Sequence, residues 1–528
     1  MKKNVKDNNQ YRALNSDLHE KINTIDALKL VARTALPLGI SRALMASNNI
    51  STAAVLANIG SEEASASPLI LTMMFVSMGM VRGVLSALGI VLGNANGAAD
   101  IGKITHAEIG KIMRQSWILS TILSIIPFAI LLNSKNILNA FNVNDNVSDE
   151  VQKYFYGYAF GIPTTLYFIC DEILAPATKS GLIPMVGGIL YSLFSIALGV
   201  PMALGYMGEN LKGPFGLGFG VALSSYITLI GVRLIYFFGE KYKKYDLFSM
   251  DFSDSKKYLS MILKLGLRMG FQVFTEWGNL AALSFITGSL GPTKSEELSV
   301  SLQCLTTFNL VILGYSHAIG SLSSNSIGAL LKTYNNDMEN SIRHKENYIK
   351  IANAGLYLGL FIVVVYAAIL CLFRDNLSSY FLSDESKNNT AVFNDTKNLL
   401  MINAVGAITD TARNLCTGQM QGLKEIMLPA LIGFILMSVM GVPIGATVTN
   451  EPEVNIMFAT RAVAACLAAL IVYAIWRGKI SKEPNIMAEE IIQSGNDKHR
   501  SWCFWKKSDR GGMNPLLNDD RQKMLDFT

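Results

Sequence analysis

Two carboxylates stand out in this 528-residue sequence, because Glu276 and Asp410 each lie well inside a long apolar stretch. An ionised side chain at the centre of a bilayer costs at least about 2.5 kcal/mol, so an acid retained there points to function. Oxygen ligands suit Na+, and burial raises a carboxyl pKa so that it takes up a proton readily. Either Na+ or H+ would neutralise such a site. Empty and loaded states would then differ in free energy, which a cation-driven conformational cycle requires. The alternative is that each acid pairs with an intramembrane arginine or lies nearer an interface. Arg413 follows Asp410 by three residues, on the same helical face, and Arg268 precedes Glu276 by two turns. Both arginines are candidate modulators of the cation-coupling pair.

Other polar groups inside apolar stretches are weighed in the same way. Asp171 and Glu172 stand beside Pro176 and Lys179, a position that favours solvation at an interface over coupling. Arg42, Arg82, Arg233 and Arg461 fall within or near the ends of spans. Arg233 is expected to snorkel. Arg42, between Pro37 and Thr52, is placed to line a cavity, where a guanidinium favours an anionic solute. His317 could titrate in that cavity or simply bond a neighbouring helix. Met73, Met74, Met78 and Met80 suit an adaptable binding surface or plain packing. The six cysteines form no CxxC or Cys/His cluster, so no metal site is expected beyond Na+ at the two acids. No phosphate-binding glycine loop is present, so neither an enzyme nor ATP as energy source is expected.

The elements that position these groups are membrane spans. Charged residues make up 16 % of the chain, against about a quarter in soluble proteins, and mean hydropathy is positive. Stretches of about 20 apolar residues match the thickness of hydrocarbon. Twelve are expected, near 28–50, 66–92, 112–133, 152–176, 183–206, 215–238, 258–288, 299–329, 349–373, 396–418, 428–447 and 455–477. Lysine and arginine gather in the even-numbered connections, and the odd-numbered ones are acidic or poor in both. By the positive-inside rule both termini are cytoplasmic. The net charge of +5 is mostly this topology signal and does not argue for nucleic acid. The polar segment 1–26 lacks the features of a removable signal peptide. The polar tail 481–528 carries Trp502–Lys507, suited to contact with the anionic cytoplasmic leaflet, with Cys503 a candidate for palmitoylation, or else merely solvated.

The basic loop 239–257 divides the spans into 27–238 and 258–480, and the halves look duplicated. Gly93-Asn94-Ala95-Asn96-Gly97-Ala98-Ala99-Asp100 closes the second span, and a segment around Gly328 closes the eighth. Leu36-Pro37-Leu38-Gly39 opens the first span, and Leu265-Gly266-Leu267-Arg268-Met269-Gly270 opens the seventh.

In order and register these segments resemble the multidrug and toxic compound extrusion (MATE) family. Gly93, Asn94, Gly97 and Asp100 fit its signature after span 2, with Asn94 in place of glutamine. Gly266, Gln272 and Glu276 fit the opening of span 7, with Arg268 in place of proline. Gln303 fits the glutamine of span 8, and Gly216–Gly220 fits the entry to span 6. The resemblance implies an all-α integral membrane fold of twelve helices in two pseudo-symmetric six-helix bundles around a central cavity. It also implies a monomeric antiporter, surrounded by lipid, that expels small organic solutes or drugs against Na+ or H+ through Glu276 and Asp410. The family's acid in span 1 falls on Thr52, and its polar pair in span 5 falls on Ser195 and Gly199, so coupling would run through the second half. A lipid or lipid-linked-sugar flippase of the same superfamily and a degenerate, non-transporting protein are the competing readings.

Overall fold

The computed structural model describes residues 22–140, 143–249, 251, 255–289, 292–335, 337–382, 388–447 and 453–495. Among them the regular structure is helical throughout, with no strand. Twelve helices run antiparallel in sequence. The first six are α1 (Thr24–Ile59), α2 (Ser61–Asp100), α3 (Ala107–Leu132), α4 (Asp145–Tyr158 and Ile162–Ala177), α5 (Leu182–Ala203) and α6 (Pro214–Phe238). The second six are α7 (Ser255–Ser289), α8 (Pro292–Thr333), α9 (Met338–Leu372), α10 (Thr390–Gly422), α11 (Met427–Gly433, Phe434–Gly441 and Val442–Thr447) and α12 (Val454–Ile480).

Six of the helices, α2, α3, α5, α6, α9 and α12, are long and apolar enough to cross a membrane on length and composition alone. The acid-bearing helices α4, α7 and α10, and α1 with Arg42, are not among them, because polar and charged residues interrupt their apolar stretches or the described helix is too short. The long apolar side chains that face outward instead, such as Ile125 of α3, Leu193 of α5, Phe361 of α9 and Leu470 of α12, are more than half exposed. That surface needs lipid to cover it.

The duplication is visible in the packing. In the first half α1 packs on α5, α2 on α3 and α4, α4 on α6, and α5 on α6. In the second half α7 packs on α11, α8 on α9 and α10, α10 on α12, and α11 on α12. A short helix follows the third member of each half, at Ser134–Ala140 and Arg374–Phe381. The halves meet through α2 against α7 and α8, and α1 against α8, as a twofold relation between the lobes requires.

At the basic face the seam is closed by missing side chains. A Cβ on Gly97 would fall 1.8 Å from the Asn325 carbonyl oxygen, one on Gly93 2.4 Å from that of Ser321, and one on Gly328 2.1 Å from that of Asn94. Backbones this close let Asn96 donate to the Asn325 side chain at 2.8 Å and Ser321 to the Gly89 carbonyl at 2.8 Å. The signature is therefore the surface on which the two lobes touch. Its last member, Asp100, takes Lys179 at 2.6 Å.

Two segments expected to be plain loop or tail are built into the fold. In the connection 239–257, Arg114 of α3 donates to the carbonyls of Asp246 at 2.6 Å and Asp251 at 3.0 Å. After α12, helix α13 (Pro484–Gly495) buries Met487, Ala488 and Ile491 in the cluster that holds Trp476 and Tyr348. An apolar stripe of Met487, Ala488, Ile491 and Ile492 among acids gives this helix a face to bury. The segment 1–21, Cys503 and the cluster 502–507 lie outside the described residues.

Candidate functional site

Between the lobes lies a partly open cavity with about 1130 Å³ of space not filled by protein atoms, open solvent included. Four central helices supply most of its wall: Arg42, Asn48 and Thr52 from α1, Phe75, Met78 and Arg82 from α2, Trp277 from α7, and His317 from α8. Tyr154 of α4 and Tyr191 of α5 complete the polar side. Phe75 stacks on Trp277 with ring centroids 4.2 Å apart, joining α2 to α7 across the lobes. The expected cavity residues Arg42, Thr52 and His317 all line this one space. Met74 and Met78 line it too, whereas Met73 is packed in the core and Met80 is exposed.

Glu276 and Asp410 come together behind this wall. Arg413 donates to Glu276 at 3.1 Å and lies 3.9 Å from Asp410. Arg461 of α12 holds the other Asp410 oxygen at 2.7 Å. Gln272, one turn before Glu276, donates to it at 3.2 Å. The guanidinium at Glu276 is thus that of Arg413, and Arg268 sits two turns away, partly exposed. The pairing of Arg413 with Asp410 expected from their spacing is the looser of its two contacts. The side chain of Gln303 lies outside the described residues.

The two acids differ in access. The Asp410 side chain is 1 % exposed, whereas that of Glu276 is 16 % exposed and adjoins Trp277 in the cavity wall. One oxygen of each acid is bound by a guanidinium, Glu276 by Arg413 and Asp410 by Arg461, and the other Asp410 oxygen has Arg413 at 3.9 Å. Removing one partner of such a buried pair costs about 3–5 kcal/mol, because it strands the other charge.

The first half carries a matching chain, which corrects the expectation of interfacial solvation for Asp171 and Glu172. Both side chains are fully buried. Glu172 pairs with Arg42 at 2.5 Å and accepts from Ser41 at 3.1 Å. Asp171 accepts from Trp117 at 2.8 Å and meets Arg233 at 3.4 Å. Arg233 does not simply snorkel, since its guanidinium also lies 4.5 Å over the Trp117 ring. The reason for the correction is that the partners sit 54–131 residues away along the chain, beyond the reach of local spacing.

The two chains occupy equivalent helices. Arg42 of α1 meets Glu172 of α4, and Glu276 of α7 meets Arg413 of α10, so the helix pair is repeated with its charges exchanged. Asp171 and Arg233 join α4 to α6, and Asp410 and Arg461 join α10 to α12, with the same polarity in both lobes. Thr52 stands in the cavity wall, and Gly199 is packed against Gly220, whose Cβ would lie 2.4 Å from the Gly199 Cα.

Arg82 is the cavity residue that the charge reading passed over. It stands eleven residues before Gly93, as His317 stands eleven before Gly328. The repeat itself therefore marked it as the mate of His317.

Fold and cavity define a two-lobed polytopic membrane protein in which a central chamber is flanked by a buried ion-pair chain in each lobe. The profile of the MatE family matches residues 37–204 and 269–447, one segment in each half. The chain belongs to the MatE family. It is 22 % identical over 346 residues to the probable multidrug resistance protein NorM of Xanthomonas campestris pv. campestris, covering 66 % of this chain and 72 % of that protein. Against the probable NorM of Pseudomonas putida the figures are 24 % over 382 residues, 70 % and 76 %. Among solved structures, the eukaryotic MATE transporter AtDTX14 superposes with a TM-score of 0.76 at 14 % identity, covering 90 % of this chain and all of that one. An outward-facing multidrug resistance MATE family transporter superposes with a TM-score of 0.71 at 16 % identity, covering 88 % and 99 %. The all-α MATE fold stated from the sequence is the fold of this chain.

Proposed function

We propose that this chain is a secondary active exporter of small organic solutes that works by antiport with a cation. The observation that carries this reading is the position of Glu276. It belongs to α7, beside the cavity wall, and its counter-charge, Arg413, belongs to α10. A cation that neutralises Glu276 weakens its tie to Arg413, which Asp410 still holds, and alters how α7 sits on its own lobe. Because α7 also packs on α2 of the other lobe, this change reaches the interface between the lobes. Opening at one face and closing at the other then follows from the loaded and empty states having different stabilities.

H+ is favoured over Na+ as the coupling ion. A proton adds to Glu276 without displacing a guanidinium, whereas Na+ would have to compete with Arg413 at 3.1 Å for the same oxygen. Asp410, closed off by Arg461, serves as the fixed counter-charge that keeps Arg413 in place when Glu276 is neutral. The names of the curated relatives support drug-like solutes, and the basic connections support cytoplasmic termini. The protein is read as a monomer in lipid, with solute entering from the cytoplasmic side when the seam along Gly93 and Gly97 opens.

The non-transporting reading draws on these same ion pairs. Against it, neither Arg413, Glu276 nor Asp410 projects into the cavity lining, and the chamber is not plugged. The test is flux through the purified full chain in proteoliposomes, with ethidium and carboxyfluorescein as probes and either a pH or a Na+ gradient imposed. Gradient-driven movement of at least one probe, lost in Glu276→Gln, is expected. Movement of neither probe under either gradient, with the protein correctly folded, would overturn the reading.

A further inference from the structure

We propose that the central cavity is an anion site: it takes an organic molecule with a carboxylate, sulfonate or phosphate head and an apolar body, and Arg82 anchors the head. This rests on reading the cavity as the solute chamber, and it adds the charge class of the solute.

Three buried side-chain nitrogens of the cavity wall have no partner: Arg42 Nε, Arg82 Nε and His317 Nε2. Two are fixed N–H donors, and the third, on a histidine ring, donates in one tautomer. Among the described wall residues no oxygen is left unsatisfied in this way. Orphaned buried donors are rare and costly, and these belong to residues that line one space, where a ligand with acceptor groups would satisfy them.

Charge points the same way. Arg42 is neutralised by Glu172 at 2.5 Å. Arg82 has no carboxylate within 4 Å among the described residues, and no acid belongs to the cavity lining. The chamber therefore holds one guanidinium, that of Arg82, without a direct ion pair, and Glu172, already bound to Arg42, acts on it only from beyond salt-bridge distance. Every other guanidinium in the two ion-pair chains has its carboxylate, so leaving this one open is specific to the cavity. A guanidinium presents a planar fork of donors that matches carboxylate and phosphate oxygens. The same cavity is lined by Phe75, Met74, Met78, Leu310, Leu313 and Trp277, apolar surface for the rest of the molecule. An organic cation would meet Arg82 with no acid in the lining to offset it.

The experiment measures binding, not transport, so it separates this inference from the exporter reading. The full chain in neutral maltoside micelles is titrated against carboxyfluorescein and against tetramethylrhodamine ethyl ester, xanthene dyes of opposite charge, by fluorescence anisotropy. Wild type is expected to bind the anionic dye about tenfold or more tighter than the cationic one. Arg82→Gln should weaken the anionic dye about 10–100-fold, the effect of losing a charge-assisted hydrogen bond, and leave the cationic dye unchanged or tighter. Arg82→Lys should recover part of the loss, which a merely structural role for Arg82 would not produce.

Displacement by benzoate or by short-chain phosphatidylglycerol tells a soluble anion from a lipid headgroup; displacement by either supports the anion site. Tighter binding of the cationic dye by wild type would overturn the proposal. So would an Arg82→Gln protein of unchanged melting temperature that binds the anionic dye as well as wild type does. A protein that binds the anion in micelles but moves nothing across a membrane would leave this inference standing and remove the exporter reading instead.

Discussion

Substituting Gly97 by alanine should shift the balance between the two arrangements of the lobes, because Gly97 lies where they touch. The added methyl would start 1.8 Å from the Asn325 carbonyl oxygen. Ordinary carbon–oxygen contact needs roughly 3.3 Å, so α2 and α8 must separate by more than 1 Å or bend. Neither is easy, since Asn96 and Asn325 bond across the same point at 2.8 Å and a Cβ on Gly93, one turn away, would also fall only 2.4 Å from the facing backbone. Overpacking of this kind costs about 1–3 kcal/mol. Here the cost falls only on the arrangement closed at the basic face, so that arrangement should lose about 5–150-fold in relative population. Ser324, fully buried beside Gly93, reports on the seam. In a background without other reactive cysteines, N-ethylmaleimide should label Ser324→Cys faster by that factor when Gly97→Ala is present. Equal labelling rates in the two backgrounds would refute the view that this glycine holds the seam closed.

Three further outcomes are expected. Asp410→Asn should lower thermal stability in micelles by the equivalent of about 3–5 kcal/mol, and adding Arg461→Gln should restore much of it; additive losses in the double variant would rule out the pairing at 2.7 Å. Arg233→Leu should lower stability, since it strips Asp171 of its ion pair and Trp117 of a stacked guanidinium. A variant as stable as wild type would place Arg233 back at the interface as a snorkelling side chain. Burial and the nearby charge of Lys332 push the Lys424 ammonium, in the turn between α10 and α11, down to about 8. The unfolded chain then holds its proton more tightly, so this residue's contribution to stability rises as pH passes from about 8 toward 10.5. The gain in melting temperature between pH 7 and pH 10 should be smaller in Lys424→Met than in wild type, and an equal gain would contradict the sign.

The membrane architecture was legible in the sequence because hydrocarbon thickness and loop charge act on contiguous residues. The seam was legible for a similar reason: Gly93, Gly97 and Gly328 recur in order, and the structure shows backbone contact at each. The charge network was harder to read. Glu276 and Asp410 could be picked out as acids at membrane depth, but their partners come from other helices, and Arg413 reaches Glu276 across 137 residues of sequence. Asp171 and Glu172 looked interfacial because Pro176 and Lys179 follow them. In the fold that end of α4 is covered by α1, α2, α3 and α6, and Lys179 is drawn to Asp100 instead. Helix α13 escaped notice because its apolar stripe is short and set among acids, and its burial depends on a surface formed by α8 and α9.

The central claim is that Glu276 exchanges protons while the chain moves solute. The most direct measurement is proton flux into proteoliposomes loaded with a pH-sensitive dye, recorded as carboxyfluorescein or ethidium is added outside. Solute-dependent proton movement by wild type, absent in Glu276→Gln and retained in a variant of equal stability altered elsewhere, is the result expected. Solute movement that proceeds at the wild-type rate in Glu276→Gln, or that carries Na+ and no protons, would contradict the account.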